Sequence, residues 1–290
     1  MVLDPPAIYG IIGYPLTHSL SPAMHNAAFK ALKVNAVYKL FPLVDAAELK
    51  LFMEDLKEGG NPIFGLNVTV PYKEAVLPYL DVIDPFAVKV GAVNTILIDH
   101  NRKMMGFNTD GPGFLSHLQE LNFDLKGKRI AILGAGGTTR AILSVLSMIN
   151  DRPESIKLYN RTHEKANALV LDLGTRMDVS AIEVVKHPED LNVELADCLI
   201  NTTSVGLKGN QTMIVDSTLL HADMLVYDVI YNPQETPLLK AAKAKGAKTV
   251  NGLGMLYYQG VLAFKNWAGM DIEDKYKKLM RKALEEGIKK

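Results

Sequence analysis

Polar residues crowd into four short stretches early in the chain: Thr17-His18-Ser19-Leu20-Ser21-Pro22, Asn67-Val68-Thr69-Val70-Pro71-Tyr72-Lys73, Gly91-Ala92-Val93-Asn94-Thr95 and Asn108-Thr109-Asp110-Gly111. Three of them stand at the carboxyl ends of predicted strands. Open α/β sheets bind ligands in the crevice outside those ends, so hydroxyls, amides and one Lys/Asp combination can converge on a small polar molecule there. Taken singly each stretch has a plain structural role: Ser19 and Ser21 as caps, Asn67 and Asn94 as turn formers, Lys73 as a solvated lysine. Their joint appearance is what points to a site. A fifth stretch, Lys128 to Arg140, reads K-R-I-A-I-L-G-A-G-G-T-T-R. Its order is strand, glycine turn (Gly134, Ala135, Gly136, Gly137), then a helix from Thr138. Such a turn lets the backbone approach a pyrophosphate, whose charge sits on the free N–H groups and positive dipole end of the helix. The third glycine of the usual G-x-G-x-x-G is Thr139 here, which weakens the motif; the flanking strand and helix support it.

The elements that must position these residues alternate. Ile8 to Tyr14, Val37 to Phe41 and Gly65 to Val70 are predicted strands, and Ser21 to Leu32, Ala46 to Lys57 and Tyr72 to Leu80 predicted helices. Ser21-Pro22 has the form of an N-cap followed by proline at the first helical position, an alternative use for the Ser21 hydroxyl that Ser19 lacks. Gly91 to Ile98 and Lys103 to Phe107 form a hairpin around Asp99-His100-Asn101. Asp110-Gly111-Pro112-Gly113 closes a first domain, and Phe114 to Leu121 is a connecting helix. After the glycine turn come strands at Ser155 to Tyr159, Ala181 to Val185, Cys198 to Thr202 and Leu225 to Val229, with helices at Glu164 to Leu173 and Pro237 to Lys245. A helix from Met255 to Trp267 and an amphipathic one over Ile272 to Ile288 end the chain. The expected fold is α/β with two α/β domains. One is an N-terminal domain with a mostly parallel sheet, residues 1–110, and the other a doubly wound dinucleotide domain, residues 111–254; the helices of residues 255–290 complete the first.

Composition narrows the classes. The 290 residues carry 32 Lys+Arg against 32 Asp+Glu, a balance that does not suggest a nucleic-acid or membrane-surface partner. Cys198 is the only cysteine, so no disulfide can form within the chain, and no Cys/His cluster argues for a metal. Ala7 to Leu16 is broken by Gly10, Gly13 and Pro15 and lacks a basic leader, and no run approaches the roughly 18 apolar residues of a membrane span. A cytoplasmic protein, monomer or homodimer, is expected.

In order along the chain, H-S-L-S-P, N-V-T-V-P-Y-K, G-A-V-N-T, N-T-D-G, L-G-A-G-G-x-x-R, N-R-T, D-V-I-Y-N-P and G-L-G-M-L-x-x-Q resemble the shikimate dehydrogenase family. The resemblance runs from Ser19 to Gln259. It implies a substrate domain and a dinucleotide domain flanking a cleft, with NADP-dependent interconversion of 3-dehydroshikimate and shikimate. It further implies Lys73 as the acid/base group with Asp110 as its partner. Ser19, Ser21, Thr69, Tyr231 and Gln259 would hold the substrate carboxylate and ring, with Asn67 and Asn94 on its hydroxyls; Val229 and Gly252 would lie on the cofactor side. Val229 stands where many relatives carry Met.

The implied chemistry suits the residue types. Oxidising a secondary alcohol releases a hydride and a proton, the nicotinamide accepts only the hydride, and a lysine can take the proton if its neutral form is accessible. Burial and a cationic nicotinamide favour that form while a carboxylate opposes it, so Asp110 is expected chiefly to orient Lys73. An NAD site usually ends its second strand in Asp or Glu, whereas this one ends in Asn160-Arg161-Thr162 with Lys165 one turn on, cations suited to the 2′-phosphate of NADP. Many relatives carry Arg at the Lys165 position, which leaves the clamp here weaker. Two alternatives remain open at this level: a quinate or quinate/shikimate enzyme using NAD or NADP, and a catalytically silent ligand sensor, against which the intact Lys73 and Asp110 argue.

Overall fold

The computed structural model describes residues 5–207 and 212–289, which fall into two compact units. Met1–Gly113 with Leu256–Lys290 form the first, and Phe114–Met255 the second. Among the described residues no helix is long and apolar enough to cross a membrane, and no group of His, Cys, Asp or Glu is placed to hold a metal ion.

The first unit contains β1 (Ala7–Gly13), α1 (Ser21–Leu32), β2 (Ala36–Pro42), α2 (Ala46–Glu58), β3 (Ile63–Val68), β4 (Val82–Ile83), α3 (Pro85–Val90), β5 (Thr95–Ile98) and β6 (Met104–Phe107). Its sheet runs β2-β1-β3-β5-β6-β4. β1 pairs in parallel with β2 and β3, β5 is antiparallel to β3 and β6, and β4 is parallel to β6. β1 is an inner strand, paired on both sides, and its last four residues are buried. α1 turns Ser21, Met24, His25, Ala28 and Phe29 inward, the spacing of one helical face. α2 packs Leu49, Met53 and Leu56 into a core shared with Ile12, Leu66 and Ile96. Asp45 caps α2 by accepting from Ala47 N and Glu48 N, both at 2.9 Å, and Glu48 Oε2 accepts from Val44 N at 2.6 Å.

α4 (Asp110–Glu120) leads into the second unit, which holds β7 (Arg129–Leu133), α5 (Gly137–Met148), β8 (Ser155–Tyr159), α6 (His163–Gly174), β9 (Ile182–Val185), β10 (Cys198–Asn201), β11 (Leu225–Asp228), α7 (Pro237–Ala244) and β12 (Lys248–Val250). Its six strands are parallel throughout in the order β12-β11-β10-β7-β8-β9. Taken from β9, that is the doubly wound order 3-2-1-4-5-6 of dinucleotide folds. α8 (Leu253–Ala268) and α9 (Asp274–Gly287) follow.

Several local expectations are corrected. The segment expected as a helix over Tyr72 to Leu80 is a run of turns ending in a short 3₁₀ helix, Leu77–Tyr79. Pro78 cannot donate to a helical ladder, and the carbonyl of Lys73 accepts from Val93 N at 2.8 Å instead of from its own segment. Ser21 is not the cap of α1: Leu20 holds that position, and no side chain caps the helix. Ser19 Oγ accepts from Ser21 N at 3.4 Å. α4 begins at Asp110 and not after Gly113, because Asn108 Oδ1 accepts from Asp110 N at 3.1 Å and the first turn tolerates Pro112. α8 likewise starts two residues early, at Leu253, whose N–H is taken by Asn251 Oδ1 at 3.1 Å. β4, α3 and β12 were not foreseen; they are two, six and three residues long, too short to show a period.

Candidate active site

The Lys73/Asp110 pair sits at the edge of a buried polar network in the first unit. Lys73 Nζ lies 2.5 Å from Asp110 Oδ2, with side-chain exposures of 11% and 9%. The other carboxylate oxygen, Oδ1, accepts from Asn94 Nδ2 at 2.8 Å. Asn94 Nδ2 also donates to Thr109 Oγ1 at 2.9 Å, and Asn94 Oδ1 accepts from Thr109 N at 2.7 Å and Thr95 Oγ1 at 3.0 Å. Asn67 Nδ2 donates to Asn94 O at 3.3 Å and Thr95 Oγ1 at 3.2 Å, while Asn67 Oδ1 accepts from the Tyr38 hydroxyl at 2.7 Å. Asn67, Asn94, Thr95, Thr109 and Asp110 are all buried. Burying so many polar groups is tolerable only because each has a partner.

Strand pairing explains the convergence. Asn67 at the end of β3 is in register with Thr95 at the start of the antiparallel β5, and Thr95 with Phe107 at the end of β6. Asn94 and Asn108-Thr109-Asp110 are therefore neighbours in space. Lys73 joins them through the bond from Val93 N to its carbonyl. Thr69 follows β3 and donates its N–H to Ile12 O at 2.9 Å. Ser21 is buried, Ser19 half-buried, and Gln259 is buried on α8 with Nε2 donating to Leu256 O at 2.8 Å. Tyr231 belongs to the second unit, on the loop after β11, where burial raises its hydroxyl pKa.

In the second unit the glycine turn has the form expected of a pyrophosphate cradle. Gly134 has φ +104°, and a Cβ there would stand 2.5 Å from Thr202 Oγ1. Gly136 is the N-cap of the twelve-residue α5, with no side chain to occupy the first N–H groups of that helix. Thr139 at the third-glycine position is fully buried, and its hydroxyl explains why glycine is not needed. Thr139 Oγ1 donates to Gly134 O at 2.8 Å, accepts from Gly136 N at 3.3 Å and meets Thr202 Oγ1 at 2.7 Å, so the side chain braces the turn from beneath. Ala135, Gly137 and Thr138 complete the turn, half-buried. Arg140 anchors α5 to α6 through Asp172, which also holds Arg176. Desolvation pushes the Asp172 carboxyl up, but the two guanidinium groups outweigh it and lower its pKa.

β8 ends at Tyr159, and the loop after it carries Asn160, whose Nδ2 donates to Thr162 O at 2.8 Å. Arg161, Thr162 and Lys165 are exposed. Val229 follows β11, and a Cβ at Gly252 would collide with the Val229 carbonyl, so this approach of backbone to backbone admits only glycine. The loop bearing Val229 and Tyr231 is held by Asp228, which was not singled out from the sequence. Burial raises its carboxyl pKa, against hydrogen bonds from Thr236 Oγ1 at 2.7 Å, Ile230 N at 3.1 Å and Asn201 Nδ2 at 3.0 Å. An acid ending an apolar strand, Leu225-Val226-Tyr227-Asp228, was the available signal. Tyr38, Thr95 and Thr109 were also missed as members of the network; the two threonines lay inside the quoted motifs, whereas nothing local marks Tyr38.

Comparison with known proteins agrees with this architecture. Residues 11–96 match the model of the shikimate dehydrogenase substrate binding domain, and residues 117–225 that of shikimate / quinate 5-dehydrogenase. The chain is 44% identical over 280 residues to the shikimate dehydrogenase (NADP(+)) of Carboxydothermus hydrogenoformans, covering 95% of each. The chain belongs to the shikimate dehydrogenase family. As a member it is an oxidoreductase. The crystal structure of the Aquifex aeolicus shikimate dehydrogenase superposes with a TM-score of 0.86 at 38% identity, covering 100% of both chains. That of the Thermus thermophilus shikimate dehydrogenase, in complex with NADP(H) and shikimate, gives 0.82 at 35% identity, covering 97% of this chain and 99% of that one. The family resemblance and the two-sheet α/β fold expected from the sequence are both met.

Proposed function

We propose that this shikimate dehydrogenase catalyses the reversible NADP-dependent reduction of 3-dehydroshikimate to shikimate, with Lys73 as proton donor and acceptor. The observation that carries the site assignment is the buried Lys73–Asp110 pair at 2.5 Å, with the other carboxylate oxygen held by Asn94. Asp110 is thereby constrained at both oxygens, and it aims the Lys73 ammonium. In the reductive direction Lys73 gives a proton to the oxygen of the reacting carbonyl; in the oxidative direction it removes that proton from the hydroxyl. The nicotinamide, when bound, supplies or accepts the hydride.

The substrate carboxylate is assigned to Ser19 and Ser21 at the N-terminus of α1, where the helix dipole favours an anion. Thr69 and Gln259 complete the substrate site. Asn67 takes a ring hydroxyl. Asn94 gives both amide hydrogens to Thr109 and Asp110, so its part is to set the carboxylate that orients Lys73. Residues 1–110 with 255–290 act as the substrate domain and 111–254 as the NADP domain. The turn Gly134, Ala135, Gly136, Gly137 and Thr138 receives the pyrophosphate, and Arg161, with Asn160, Thr162 and Lys165, the 2′-phosphate. Val229 and Gly252 lie on the nicotinamide side.

The test is a spectrophotometric assay at the nicotinamide absorbance band, pairing shikimate and quinate with NADP and NAD. The expected result is a kcat/KM highest for shikimate with NADP. Faster turnover of quinate, or of NAD, would overturn the substrate or the cofactor assignment respectively.

A further inference from the structure

We infer that Tyr38 is a positioning residue that orients the Asn67 amide toward the substrate, an inference resting on the role assigned above to Asn67. Tyr38 lies on β2, at the edge of the sheet, yet its hydroxyl reaches across β1 to donate to Asn67 Oδ1 on β3 at 2.7 Å. The register makes this reach available. Tyr38 pairs with Tyr9 and Tyr9 with Gly65, so these residues share one face, and Asn67, two residues beyond Gly65, shares it too.

Tyr38 is held as a part with no freedom. Its backbone is clamped by Asn26 of α1, whose Oδ1 accepts from Tyr38 N at 2.8 Å and whose Nδ2 donates to Tyr38 O at 3.1 Å. Its ring is stacked on the preceding residue of that helix, His25, with centroids 4.6 Å apart and planes 14° from parallel. His25 is fully buried with neither ring nitrogen hydrogen-bonded, and it lies in turn against Phe264 and Trp267. An imidazole with no partner in such a cage serves as a flat face. Desolvation keeps the Tyr38 hydroxyl protonated, so it remains a donor to Asn67. With Oδ1 fixed as acceptor, the Asn67 amide can only present its hydrogens to Asn94 O and Thr95 Oγ1, and it meets a substrate hydroxyl with the remaining lone pair of Oδ1. Asn67 is thereby an acceptor for that hydroxyl and rejects a carbonyl at the same position.

The experiment is a cycle of Tyr38→Phe, Asn67→Ala and the double variant, assayed with shikimate and with its analogues lacking one ring hydroxyl. Tyr38→Phe keeps the ring stack and removes one oxygen. We expect kcat/KM for shikimate to fall about tenfold or more, the order for a buried acceptor losing its donor, with the KM for NADP within about twofold of wild type. The loss should vanish for the analogue lacking the hydroxyl that Asn67 receives, and the double variant should be no worse than Asn67→Ala. Additive losses, or one equal loss across all analogues, would make Tyr38 a packing residue and overturn the inference. Asn67→Ala is the separate control: wild-type kinetics in that variant would remove Asn67 from the substrate site and the inference with it, whereas an impaired Asn67→Ala beside a wild-type-like Tyr38→Phe would overturn the inference alone.

Discussion

Asp110 is gripped at both carboxylate oxygens, by Lys73 Nζ at 2.5 Å on Oδ2 and by Asn94 Nδ2 at 2.8 Å on Oδ1. A carboxylate held in this way has little freedom to follow a moving lysine, so the lysine is held to it. Positioning the proton-transfer group before substrate arrives removes an orientation cost from the chemical step. Lys73→Ala is therefore expected to lower turnover by roughly 10²–10⁴ while leaving shikimate affinity within about tenfold. Steady-state kinetics with equilibrium shikimate binding checks this; undiminished turnover would take Lys73 out of the mechanism.

Arg161 is exposed on the loop after β8, without an ion pair among the described residues. Its guanidinium can grip a phosphate and has no other charge to satisfy. Arg161→Ala should raise the KM for NADP about tenfold or more and leave that for NAD nearly unchanged, since only NADP carries the 2′-phosphate. Equal losses with both cofactors would assign Arg161 to the adenine or to the fold instead.

Ser21 lacks the capping role its order suggested. Ser21 is inside the helix, buried and not a cap, and Ser19 Oγ accepts from Ser21 N at 3.4 Å. Ser21→Ala should raise the KM for shikimate with a stability loss below about 1 kcal/mol, the usual cost of a lost cap. Ser19→Ala should raise the same KM and also lose its weak bond to the helix start. Melting curves and shikimate titrations of the two variants decide the matter. A large stability loss with unchanged KM in Ser21→Ala would return that hydroxyl to a structural role.

His25 predicts how stability responds to acid. Burial lowers its pKa from 6.5 to about 3, so between those values the unfolded chain binds a proton that the native protein refuses. The unfolding free energy then falls as pH falls from about 6.5, by up to about 1.4 kcal/mol per pH unit from this group. His25→Phe should flatten the fall between pH 6 and 4.5 in urea titrations. Asp178, whose carboxyl the Ser180 N–H and Arg152 hold down at about 2, titrates alike in both proteins and cancels in the comparison. Parallel curves for wild type and variant would mean that the native state admits the proton or that His25 opens early.

The glycine turn, the alternation of strand and helix and the order of motifs were legible in the sequence because they depend on neighbours a few residues apart. Gly134 needs φ +104°, and a strand followed by Gly-Ala-Gly-Gly announces that need locally. The strand ending at Tyr159 and the Arg161 beyond it could be placed for the same reason. Tertiary structure alone decided what depends on distant partners. The Lys73 carbonyl is claimed by Val93, which together with Pro78 turns an expected helix into turns and sets the lysine beside Asp110. Thr139 replaces a glycine because Thr202 and the Gly134 carbonyl, brought in by β10 and β7, stand ready to receive its hydroxyl. Tyr38 carries no local mark at all, since its meaning lies in a hydroxyl delivered across β1 to Asn67, 29 residues away in sequence. Periodicity reports which face of an element is buried, but which atom completes a hydrogen bond there is fixed only when strand order and register bring the two residues together.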